Sequence, residues 1–572
     1  MCPKLGRAGV ATGSDFAKLT RVLKDDVPTV EPTLQQLGGQ GMWRWLTPWR
    51  CRVIFMLLLL WGAWGHVNYL RYDCPLDLAG DEAQYWDWSR QLEISYYSKG
   101  PLVAYIIRAS TAIFGNTMPA VRYPALLLAI GTAICSYWLI VKLFASDRLA
   151  LGAALLSHCV PVFIAGSILM TIDPPFFFCW ALATCFAAKI FFDRSKWAWI
   201  ALGAILGIGF LAKYGMFLWL VGFAFFFLWD RDSRRWLRTI WPWVMIAIAL
   251  AFTTPVVIWN ARHGWSSLYH VQHQTGTGFA INNPFEYLGG QVAILGLPIA
   301  IIMTASVFYV FGKSAKADPH QRALRYLVAI GLSIFAIVFA DSFRSKVQPN
   351  WPAPAYFTLM ILSAYFLSLR LGQRAHWKWW WRGNLIAAAV GAMIMMPLVH
   401  DMSALYPYLP TIDKVMSKLG RKKPMTARQI DPTAKLRGWQ ELGQRVGLEI
   451  RTLGPDAFLM GEDYQTTAEL AFYSPHQPKT YYASSYFDVS PGRLCQYDMW
   501  PDRSLDPKNT TLLGKDAIYV GYMRKQLAAA FDSVEAQPDE VIMRRGFEVQ
   551  RFIIWRCRGF KGLTRPTTGT MY

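Results

Sequence analysis

Residues 52–70 read RVIFMLLLLWGAWGHVNYL, an apolar run long enough to cross the roughly 30 Å of hydrocarbon in a bilayer. Comparable runs recur between Cys51 and His400, and they predict an α-helical polytopic membrane protein with about 11–13 transmembrane helices. The predicted spans lie near 52–70, 119–141, 149–169, 174–192, 196–212, 215–229, 239–259, 291–311, 325–341, 354–369 and 383–399, with Pro101–Phe114 as a further candidate. We expect no cleavable signal peptide, because the first fifty residues are polar and the first apolar run is a full span.

The composition excludes a chain of soluble domains. It is 54% hydrophobic and 15% aromatic, and only 17% of its residues are charged, against roughly 25% in a soluble domain. Lys and Arg number 58 against 37 Asp and Glu, a formal net charge of +21. A nucleic-acid binder gathers such charge on one solvated face, whereas here the basic residues form short clusters between apolar runs. We therefore expect membrane lipids and no nucleic acid among its partners.

The basic clusters predict the orientation, because cytosolic connectors are enriched in Lys and Arg. Every second connector is basic, whereas the intervening ones carry few such residues. The N-terminus is therefore predicted to be cytosolic and the C-terminus to lie outside. The basic connectors contain Lys142 and Arg148; Lys189, Arg194 and Lys196; Arg231, Arg234, Arg235 and Arg238; Lys313, Lys316, Arg322 and Arg325; and Arg370, Arg374, Lys378 and Arg382.

Four parts are predicted along the chain: a cytosolic segment (1–50), a transmembrane domain with outer loops (51–400), a linker rich in Pro and Lys (401–436) and an external α/β domain (437–572). In the last part the patterns indicate helices at Gly438–Leu453 and Asp463–Tyr473, and strands at Ala457–Met460, Lys479–Ala483, Ala517–Tyr522 and Phe547–Ile554.

Cysteines do not indicate a disulfide framework or a metal cluster. Four of the nine fall inside apolar spans, where a free thiol behaves as a small hydrophobe. Cys74, Cys495 and Cys557 fall in regions predicted to lie outside, where one pair could form a disulfide. The sequence does not decide which pair.

The outer connectors hold ionisable residues at or near predicted membrane boundaries, where charge is costly unless it is paired or lines an aqueous cavity. We therefore predict a cavity that opens to the outer face. The residues concerned are Asp81, Glu82, Lys99, Asp173, Lys213, Arg344 and Lys346.

The first outer connector, GDEAQYWDWSRQLEISYYSKGPLVAYII (Gly80–Ile107), combines two adjacent carboxylates, an aromatic-rich helix and a lysine beside Gly-Pro. One interpretation is a capped interfacial helix with Asp81 as N-cap and an aromatic belt that includes Tyr97. That interpretation explains the aromatic residues well. It explains less well two acids and a lysine at a membrane surface, for which a functional site is the alternative.

These motifs resemble the membrane-embedded GT-C glycosyltransferases, in particular the group of the lipid A aminoarabinose transferase and the dolichyl-phosphate-mannose protein mannosyltransferases. The similarity rests on the Asp81–Glu82 pair and YYSKGPL, then in order on TIDPPFFFCWAL (171–182), LAKYG (211–215) and KVQPNWPAPAY (346–356). GEDYQTTAELAFY (461–473) and CQYDMW (495–500) are similar to the lipid-A-type subgroup. The resemblance implies transfer of a sugar from a polyprenyl-phosphate donor to an acceptor on the outer side of the membrane.

The resemblance also implies roles for individual residues. Asp81 would be the general base that deprotonates the acceptor hydroxyl, with Glu82 and Asp173 shaping the pocket. Cations would stabilise the leaving phosphate, and the available ones are Lys99, Lys213, Arg344 and Lys346. The sequence does not decide which cation binds the phosphate.

Each of these residues also has a structural interpretation. Lys99 could be a snorkelling interfacial lysine, Asp173 a helix cap before two prolines, and Lys213 an ordinary connector residue. Asn350 and Trp351 could form a turn with an interfacial anchor, or Trp351 could stack on a sugar or an isoprenoid. Glu462, Asp463 and Gln465 could contact the acceptor or begin a helix favourably.

No metal site is predicted, and no cofactor is certain. His263, His270 and His273 lie in one outer connector, but without a neighbouring Cys or acid they are expected to be ordinary loop residues. A divalent ion held by the paired carboxylates of Asp81 and Glu82 stays open as an alternative. The chain has no Walker-type loop or dinucleotide fingerprint, so ATP or a nucleotide sugar has no support.

The function predicted is therefore an inverting glycosyltransferase of the bacterial inner membrane, with a periplasmic C-terminal domain and transmembrane residues 51–400 as its catalytic domain. The acceptor could be a lipid, a glycan or a protein, and the sequence names neither the sugar nor the oligomeric state. The rival is a polytopic transporter or a flippase for lipid-linked sugars, which would need ionisable or broken-helix sites near the membrane midplane.

Overall fold

The computed structural model describes residues 45–274, 282–372, 377–418, 420–421, 423–487 and 494–565. Residues 1–44 of the predicted N-terminal segment, and Arg374 of the basic connectors, lie outside the described residues. The described chain is mostly helical as far as Leu453, and all of its strands lie between Phe458 and Arg558.

The helical region contains long helices joined by short connectors. Its α-helices are Pro48–Asn68 (continued by a π-helical turn to Asp73), Gly80–Arg90, Leu102–Phe114, Met118–Phe144, Asp147–Ser157, Pro161–Ile168, Asp173–Asp193, Trp197–Ala212, Phe217–Trp229, Trp241–Arg262, Ser266–Gln274, Asn282–Leu295, Leu297–Phe311, Lys313–Lys316, Gln321–Ser342, Ala355–Gly372 and Trp377–His400. Short 3-10 turns cover Tyr214–Met216 and Ser233–Arg238.

Several of these helices can cross a membrane, which confirms the predicted polytopic helical fold. Among the described residues, six are long and apolar enough: Pro48–Asp73, Met118–Phe144, Asp173–Asp193, Trp241–Arg262, Gln321–Ser342 and Lys378–His400. Four further apolar helices are shorter, at Leu102–Phe114, Trp197–Ala212, Tyr214–Trp229 and Ala355–Leu371. The four shorter helices coincide with the predicted runs Pro101–Phe114, 196–212, 215–229 and 354–369.

Two predicted spans are not continuous helices. The run 149–169 breaks before Pro161, which begins a new helix because proline has no N–H for a helix interior. The run 291–311 bends by 109° between two helices. At that bend Gly296 has φ +79°, a conformation that favours glycine, and Pro298 lies in the first turn of the next helix.

Ion pairs gather at the two ends of the helical region. The helix Asp173–Asp193 has 21 residues and is therefore about 30 Å long, so its terminal carboxylates lie on opposite sides of a bilayer core. The pairs Arg122–Glu82 and Lys213–Asp173 lie at the first end, and Lys142–Asp193, Arg52–Asp147 and Arg322–Asp230 lie at the other.

Residues 401–436, predicted to be a linker, contain helices at Leu409–Lys418 and Ala427–Ile430 with 3-10 turns at Met402–Tyr408 and Ala434–Leu436. Asp401 caps the first of these turns by accepting a hydrogen bond from Ser403 N. The segment thus contains regular secondary structure along much of its length.

A small α/β unit follows, as predicted. Helices Trp439–Leu453 and Tyr464–Tyr473 match the predicted ones, and a short helix covers Lys525–Ala529. The strands are β1 (Phe458–Gly461), β2 (Thr480–Tyr482), β3 (Ala517–Val520), β4 (Ser533–Ala536), β5 (Glu540–Arg544), β6 (Phe547–Phe552) and β7 (Ile554–Arg558). The first sheet has the order β2-β1-β3-β7-β4, parallel among β2, β1 and β3, and β5 and β6 form a hairpin.

Two details of this unit differ from the prediction. The single strand predicted at Phe547–Ile554 is two strands, β6 and β7, which belong to different sheets. Strands β4 and β5 were not predicted. β4 is mostly exposed and β5 only partly buried, so neither shows the alternation by which strands are recognised.

The α/β unit is docked on the first outer connector. Its helix Tyr464–Tyr473, the docking helix, packs against the helix Gly80–Arg90, the loop helix, whose Gly80 leaves room for Gln465. Arg503 donates to both carboxylate oxygens of Asp87, at 2.9 and 3.0 Å, and both side chains are buried. A desolvated, bidentate pair of this kind fixes geometry, so the two regions meet in one register.

Glu93 adds a second link between the same regions. Its carboxylate accepts hydrogen bonds from the indole N–H groups of Trp259, at 2.6 Å, and of Trp500. One indole belongs to a membrane helix and the other to the α/β unit, so one side chain joins both.

Every cysteine in the described ranges is a free thiol, and these include Cys74, Cys495 and Cys557. The disulfide left open by the sequence is therefore not formed. The Sγ of Cys74 lies against the buried guanidinium of Arg122 instead, with Nη1 at 3.5 Å.

Candidate active site

Asp81 lies in the first turn of the loop helix, at the surface that meets the docking helix. The helix begins at Gly80 after the cap residue Ala79, so Asp81 is not the N-cap that the interfacial interpretation requires. The Tyr464 hydroxyl donates to Asp81 Oδ1 at 3.1 Å, and Gln465 Nε2 donates to that hydroxyl at 3.2 Å. Asp81 Oδ2 accepts no hydrogen bond from any residue in the described ranges.

Glu82, next in sequence, is wholly buried in an ion pair with Arg122. Arg122 Nη2 donates to Glu82 Oε2 at 2.8 Å, and the backbone N–H groups of Ala79 and Met170 donate to the same carboxylate at 2.9 and 2.8 Å. The guanidinium also donates to the carbonyls of Leu76 and Asp77. Asp81 and Glu82 therefore have different environments and do not form a paired-carboxylate ligand set.

Asp173, Lys213 and Asn350, three residues predicted from separate connectors, are in contact. Lys213 Nζ donates to Asp173 Oδ1 at 2.8 Å, and Asn350 Nδ2 donates to Asp173 Oδ2 at 3.0 Å. The ammonium also lies 5.3 Å from the centroid of the Phe176 ring. Asp173 is in the first turn of its helix and Ile172 is the cap residue, so Asp173 is not the predicted cap.

Local contacts bring the connectors of these residues together. Gly100 packs directly on the Leu211 carbonyl, and a Cβ at residue 100 would clash with it. The segment of Lys99 therefore lies against the segment of Lys213. The bond from Met170 to Glu82 likewise ties the chain just before Asp173 to the start of the loop helix.

The hydroxyl group of Tyr85 is affected by the charges of both Asp81 and Asp173. Its hydroxyl is buried on the loop helix, and burial raises the pKa of Tyr85 well above its usual range. The charges of Asp81 and Asp173 raise that pKa further, so both carboxylates lie close enough to act on one hydroxyl. The Asp81 region and the Asp173–Lys213 pair are therefore both near Tyr85.

Lys99 and Tyr97 lie in the first outer connector. Lys99 is partly exposed, and its carbonyl accepts a hydrogen bond from Tyr96 N at 3.2 Å. Tyr97 is buried, its ring packs edge-on against His270 at 5.2 Å, and its N–H donates to Gln496 Oε1. Tyr97 also packs with Trp259 of the membrane helix Trp241–Arg262, so it lies between that helix and the α/β unit.

Arg344, Lys346 and Trp351 occupy less specific positions. Arg344 is exposed, and Lys346 is 80% exposed and forms a surface salt bridge with Glu286 at 2.8 Å. Trp351 is partly buried and packs against the helical core. Lys213, in contrast, is held next to the carboxylate of Asp173.

Of the three predicted acceptor residues, Gln465 is the one that contacts the Asp81 region. Asp463 caps the docking helix by accepting a hydrogen bond from Thr466 N at 2.8 Å. Glu462 accepts from Tyr522 N at 2.8 Å and pairs with Arg524. Asp463 thus begins a helix, as the structural interpretation of the sequence expects, whereas Glu462 is bound to the segment after β3.

The sequence prediction did not include Tyr464 and Arg122. Tyr464 lies next to Gln465 in GEDYQTTAELAFY (461–473), and nothing in the sequence sets this tyrosine apart from the others. Arg122 does give one, because a charged residue inside a predicted span is costly unless it has a partner.

No group of three or more His, Cys, Asp or Glu side chains that could hold a metal ion occurs in the part of the chain that the structure describes. His263 Nδ1 lies 2.8 Å from the Trp259 carbonyl, and His270 packs on Tyr97. The side chain of His273 is outside the described residues. The carboxylates of Asp81 and Glu82, considered above as ligands of a divalent ion, do not act as a pair, because Glu82 is bound to Arg122.

Comparisons with known proteins indicate the class to which the chain is similar. Residues 98–259 match the family model described as dolichyl-phosphate-mannose-protein mannosyltransferase. The chain is 24% identical over 381 residues to the lipid A galacturonosyltransferase RgtD of Rhizobium johnstonii, which covers 64% of this chain and 75% of that protein. The structure superimposes on ArnT from Cupriavidus metallidurans bound to undecaprenyl phosphate with a TM-score of 0.57, at 16% identity, over 88% of this chain and 97% of ArnT. The chain is a membrane glycosyltransferase, and its similarities support the GT-C type.

A further relative is the undecaprenyl phosphate-alpha-4-amino-4-deoxy-L-arabinose arabinosyl transferase of Pseudomonas paraeruginosa, at 23% identity over 327 residues. That alignment covers 54% of this chain and 57% of the relative, so the chain spans little more than half the length of that protein. The glycosyltransferase is a multi-pass protein of the bacterial inner membrane. The comparisons favour the enzyme over the transporter or flippase that the composition left open.

Proposed function

We propose that the enzyme transfers a sugar from a polyprenyl-phosphate donor to a lipid acceptor of the lipid A class, at the periplasmic face. The relatives support this proposal, since they include a lipid A galacturonosyltransferase and a transferase that uses an undecaprenyl-phosphate sugar. The fold neighbour bound to undecaprenyl phosphate supports the donor class. A lipid donor suits a site at the membrane boundary, because its tail stays in the bilayer while its phosphosugar enters a polar cavity.

Asp81 is the proposed general base, and the observation that carries this role is the contrast with Glu82. The Glu82 carboxylate is enclosed by Arg122 and two backbone N–H groups, so its lone pairs are occupied. Asp81 is partly exposed and binds Tyr464 through one oxygen, which leaves the other to accept a proton. A base within hydrogen-bond reach of the acceptor hydroxyl typically contributes roughly 10²–10⁴-fold to the rate.

Lys213 is the proposed ligand of the donor phosphate. An ammonium has three N–H donors, and one of them binds Asp173. The other two can bind phosphate oxygens, while Asp173, itself held by Asn350, keeps the ammonium in place. Lys99 is a second candidate, because Gly100 packs its segment against the segment of Lys213.

The proposed reaction is a single displacement. The acceptor hydroxyl oxygen attacks the anomeric carbon as its proton passes to Asp81, and the bond from that carbon to the phosphate oxygen breaks on the opposite face. The electron pair leaves with the polyprenyl phosphate, whose charge Lys213 stabilises. Inversion of the anomeric centre follows from one displacement, and Glu82 acts as a positioning residue through Arg122.

The orientation is part of the proposal. The site residues lie at the end of the helical region away from the basic connectors, and such connectors favour the cytosol. The N-terminus is then cytosolic, and the α/β unit that covers Asp81 is periplasmic. An acceptor in the outer leaflet would reach Asp81 between the loop helix and the docking helix.

The test is transfer by the purified enzyme from a synthetic undecaprenyl-phosphate sugar to lipid A, with the product identified by mass spectrometry. Asp81→Asn is compared with Asp193→Asn, which removes an equivalent charge at the other end of the helical region. We expect product with the wild type and with Asp193→Asn, and a loss of at least about 100-fold with Asp81→Asn. Equal rates for the two variants would contradict the role of Asp81, and movement of the lipid across proteoliposomes without a glycosidic bond would contradict the enzyme.

A further inference from the structure

A basic pocket lies at the end of the helical region opposite the candidate site. It encloses about 270 Å³ where the C-terminal end of the helix Asp173–Asp193 meets the 3-10 turn Ser233–Arg238. Four of its nine lining residues are cationic and one is acidic. The lining residues are Phe191, Arg194, Lys196, Asp232, Ser233, Arg235, Trp236, Thr239 and Arg322.

Charge in this pocket is only partly compensated. Arg322 is held by Asp230, with Nη2 to Oδ2 at 2.7 Å, and Arg235 forms a salt bridge with Asp232 at 3.1 Å. Arg194 and Lys196 are exposed, and neither forms an ion pair with a carboxylate in the ranges that the structure describes. An excess of positive charge therefore faces the cavity, which favours an anionic ligand.

The surroundings of the pocket place it at a membrane interface. Trp197 and Trp243 lie at the start of two helices next to the pocket, and Ile240 directly precedes the second of these helices. Trp197, Ile240 and Trp243 are 75%, 67% and 64% exposed. Exposed tryptophans at the end of a membrane helix are typical of the headgroup region. The helix Asp173–Asp193 is about 30 Å long, so this interface belongs to the leaflet opposite the candidate site.

We propose that this pocket binds the phosphate headgroup of an anionic phospholipid. Arg194 and Lys196 bind the phosphate, and the acyl chains extend along the apolar surface that includes Ile240 and Trp243. Basic pockets between membrane helices recognise anionic headgroups in this way. The cavity is below the roughly 300–1,000 Å³ of pockets for drug-sized ligands, so it suits a headgroup and not a whole lipid. The inference is independent of the proposed donor and acceptor.

The experiment measures binding of phosphatidylglycerol to the full-length protein in detergent by native mass spectrometry. The double variant Arg194→Ala/Lys196→Ala is compared with Lys313→Ala/Lys316→Ala, which removes two exposed cations from a basic connector outside the pocket. An interfacial cation contributes about 5-fold to such binding, so we expect about 30-fold weaker binding by the first variant and little change in the second. Unfolding temperatures measured without lipid check that both variants are folded.

Two further binding measurements distinguish a lipid headgroup from a free phosphate ion. Phosphatidylcholine tests the need for net negative charge, and inorganic phosphate tests whether a free anion suffices. The proposal predicts weak binding of phosphatidylcholine and little competition by inorganic phosphate at the concentration of the lipid. It is overturned if the two double variants bind phosphatidylglycerol equally well, or if inorganic phosphate displaces the lipid completely.

Discussion

The buried pair of Glu82 and Arg122 is expected to dominate the local stability of the site. Arg122→Leu removes the cation and leaves the Glu82 carboxylate with two backbone N–H partners in a place that water does not reach. Breaking a buried pair on one side typically costs about 3–5 kcal/mol, because a buried charge is left uncompensated. The carbonyls of Leu76 and Asp77 also lose a donor, which makes the upper part of that range the expectation.

A matched control lies on the same helix. Lys142, near the other end of Met118–Phe144, pairs with Asp193, and both side chains are partly exposed, at 28% and 38%. Lys142→Leu should therefore cost only about 0–1 kcal/mol, the usual contribution of an exposed pair. The free energies of unfolding of the two variants should differ by at least about 2 kcal/mol.

The assay is denaturant unfolding of the purified protein in detergent, followed by tryptophan fluorescence, with transfer activity measured on the folded fraction. Because Glu82 ties the chain before Asp173 to the loop helix, Arg122→Leu should also lower kcat in protein that stays folded. Equal unfolding free energies for the Arg122 and Lys142 variants would refute the argument that burial makes the Glu82 pair decisive.

Three other predictions follow from contacts around the site. Tyr464→Phe removes the hydrogen bond to Asp81 and should lower kcat about 10-fold with an unchanged unfolding temperature, in the transfer assay. Lys213→Ala should raise KM for the donor and lower kcat, whereas Lys346→Ala, at an exposed surface pair, should change neither by more than about 2-fold. Burial raises the pKa of Glu469 well above its usual 4.5. The folded chain therefore keeps this proton to a higher pH than the unfolded chain does. The free energy of unfolding consequently falls as the pH rises from about 4.5 through the pKa of the folded state. Glu469→Gln should therefore raise the unfolding temperature at pH 8, with a gap over the wild type that closes towards pH 4.5; a gap that is constant across this range would contradict the explanation.

The sequence predicted the parts of the fold that depend on composition and period. Apolar runs indicated the long helices, and the alternation of basic connectors grouped the residues that lie at the two ends of the helical region. The breaks at Pro161 and Gly296 were missed because an apolar average over a window does not respond to one residue. The exposed strand Ser533–Ala536 was missed because it has no buried face to impose alternation.

The site was predicted in part. Asp173, Lys213 and Asn350 were singled out from three separate connectors, and the structure brings them into contact. The difference between Asp81 and its neighbour Glu82 could not be predicted, because it depends on Arg122, forty residues later and inside an apolar run. The hydrogen bond from Tyr464 depends on how the α/β unit docks, and a sequence carries no direct signal of docking.

The central claim is that Asp81 takes the proton of the acceptor. The most direct measurement is the single-turnover rate of Asp81→Asn with bound undecaprenyl-phosphate sugar and saturating lipid acceptor, together with the Kd of the donor. We expect a Kd within about 2-fold of the wild type and a chemical step slower by about 10²–10⁴-fold, because asparagine keeps the shape of the side chain but cannot accept the proton. A single-turnover rate equal to that of the wild type would show that Asp81 is not the base.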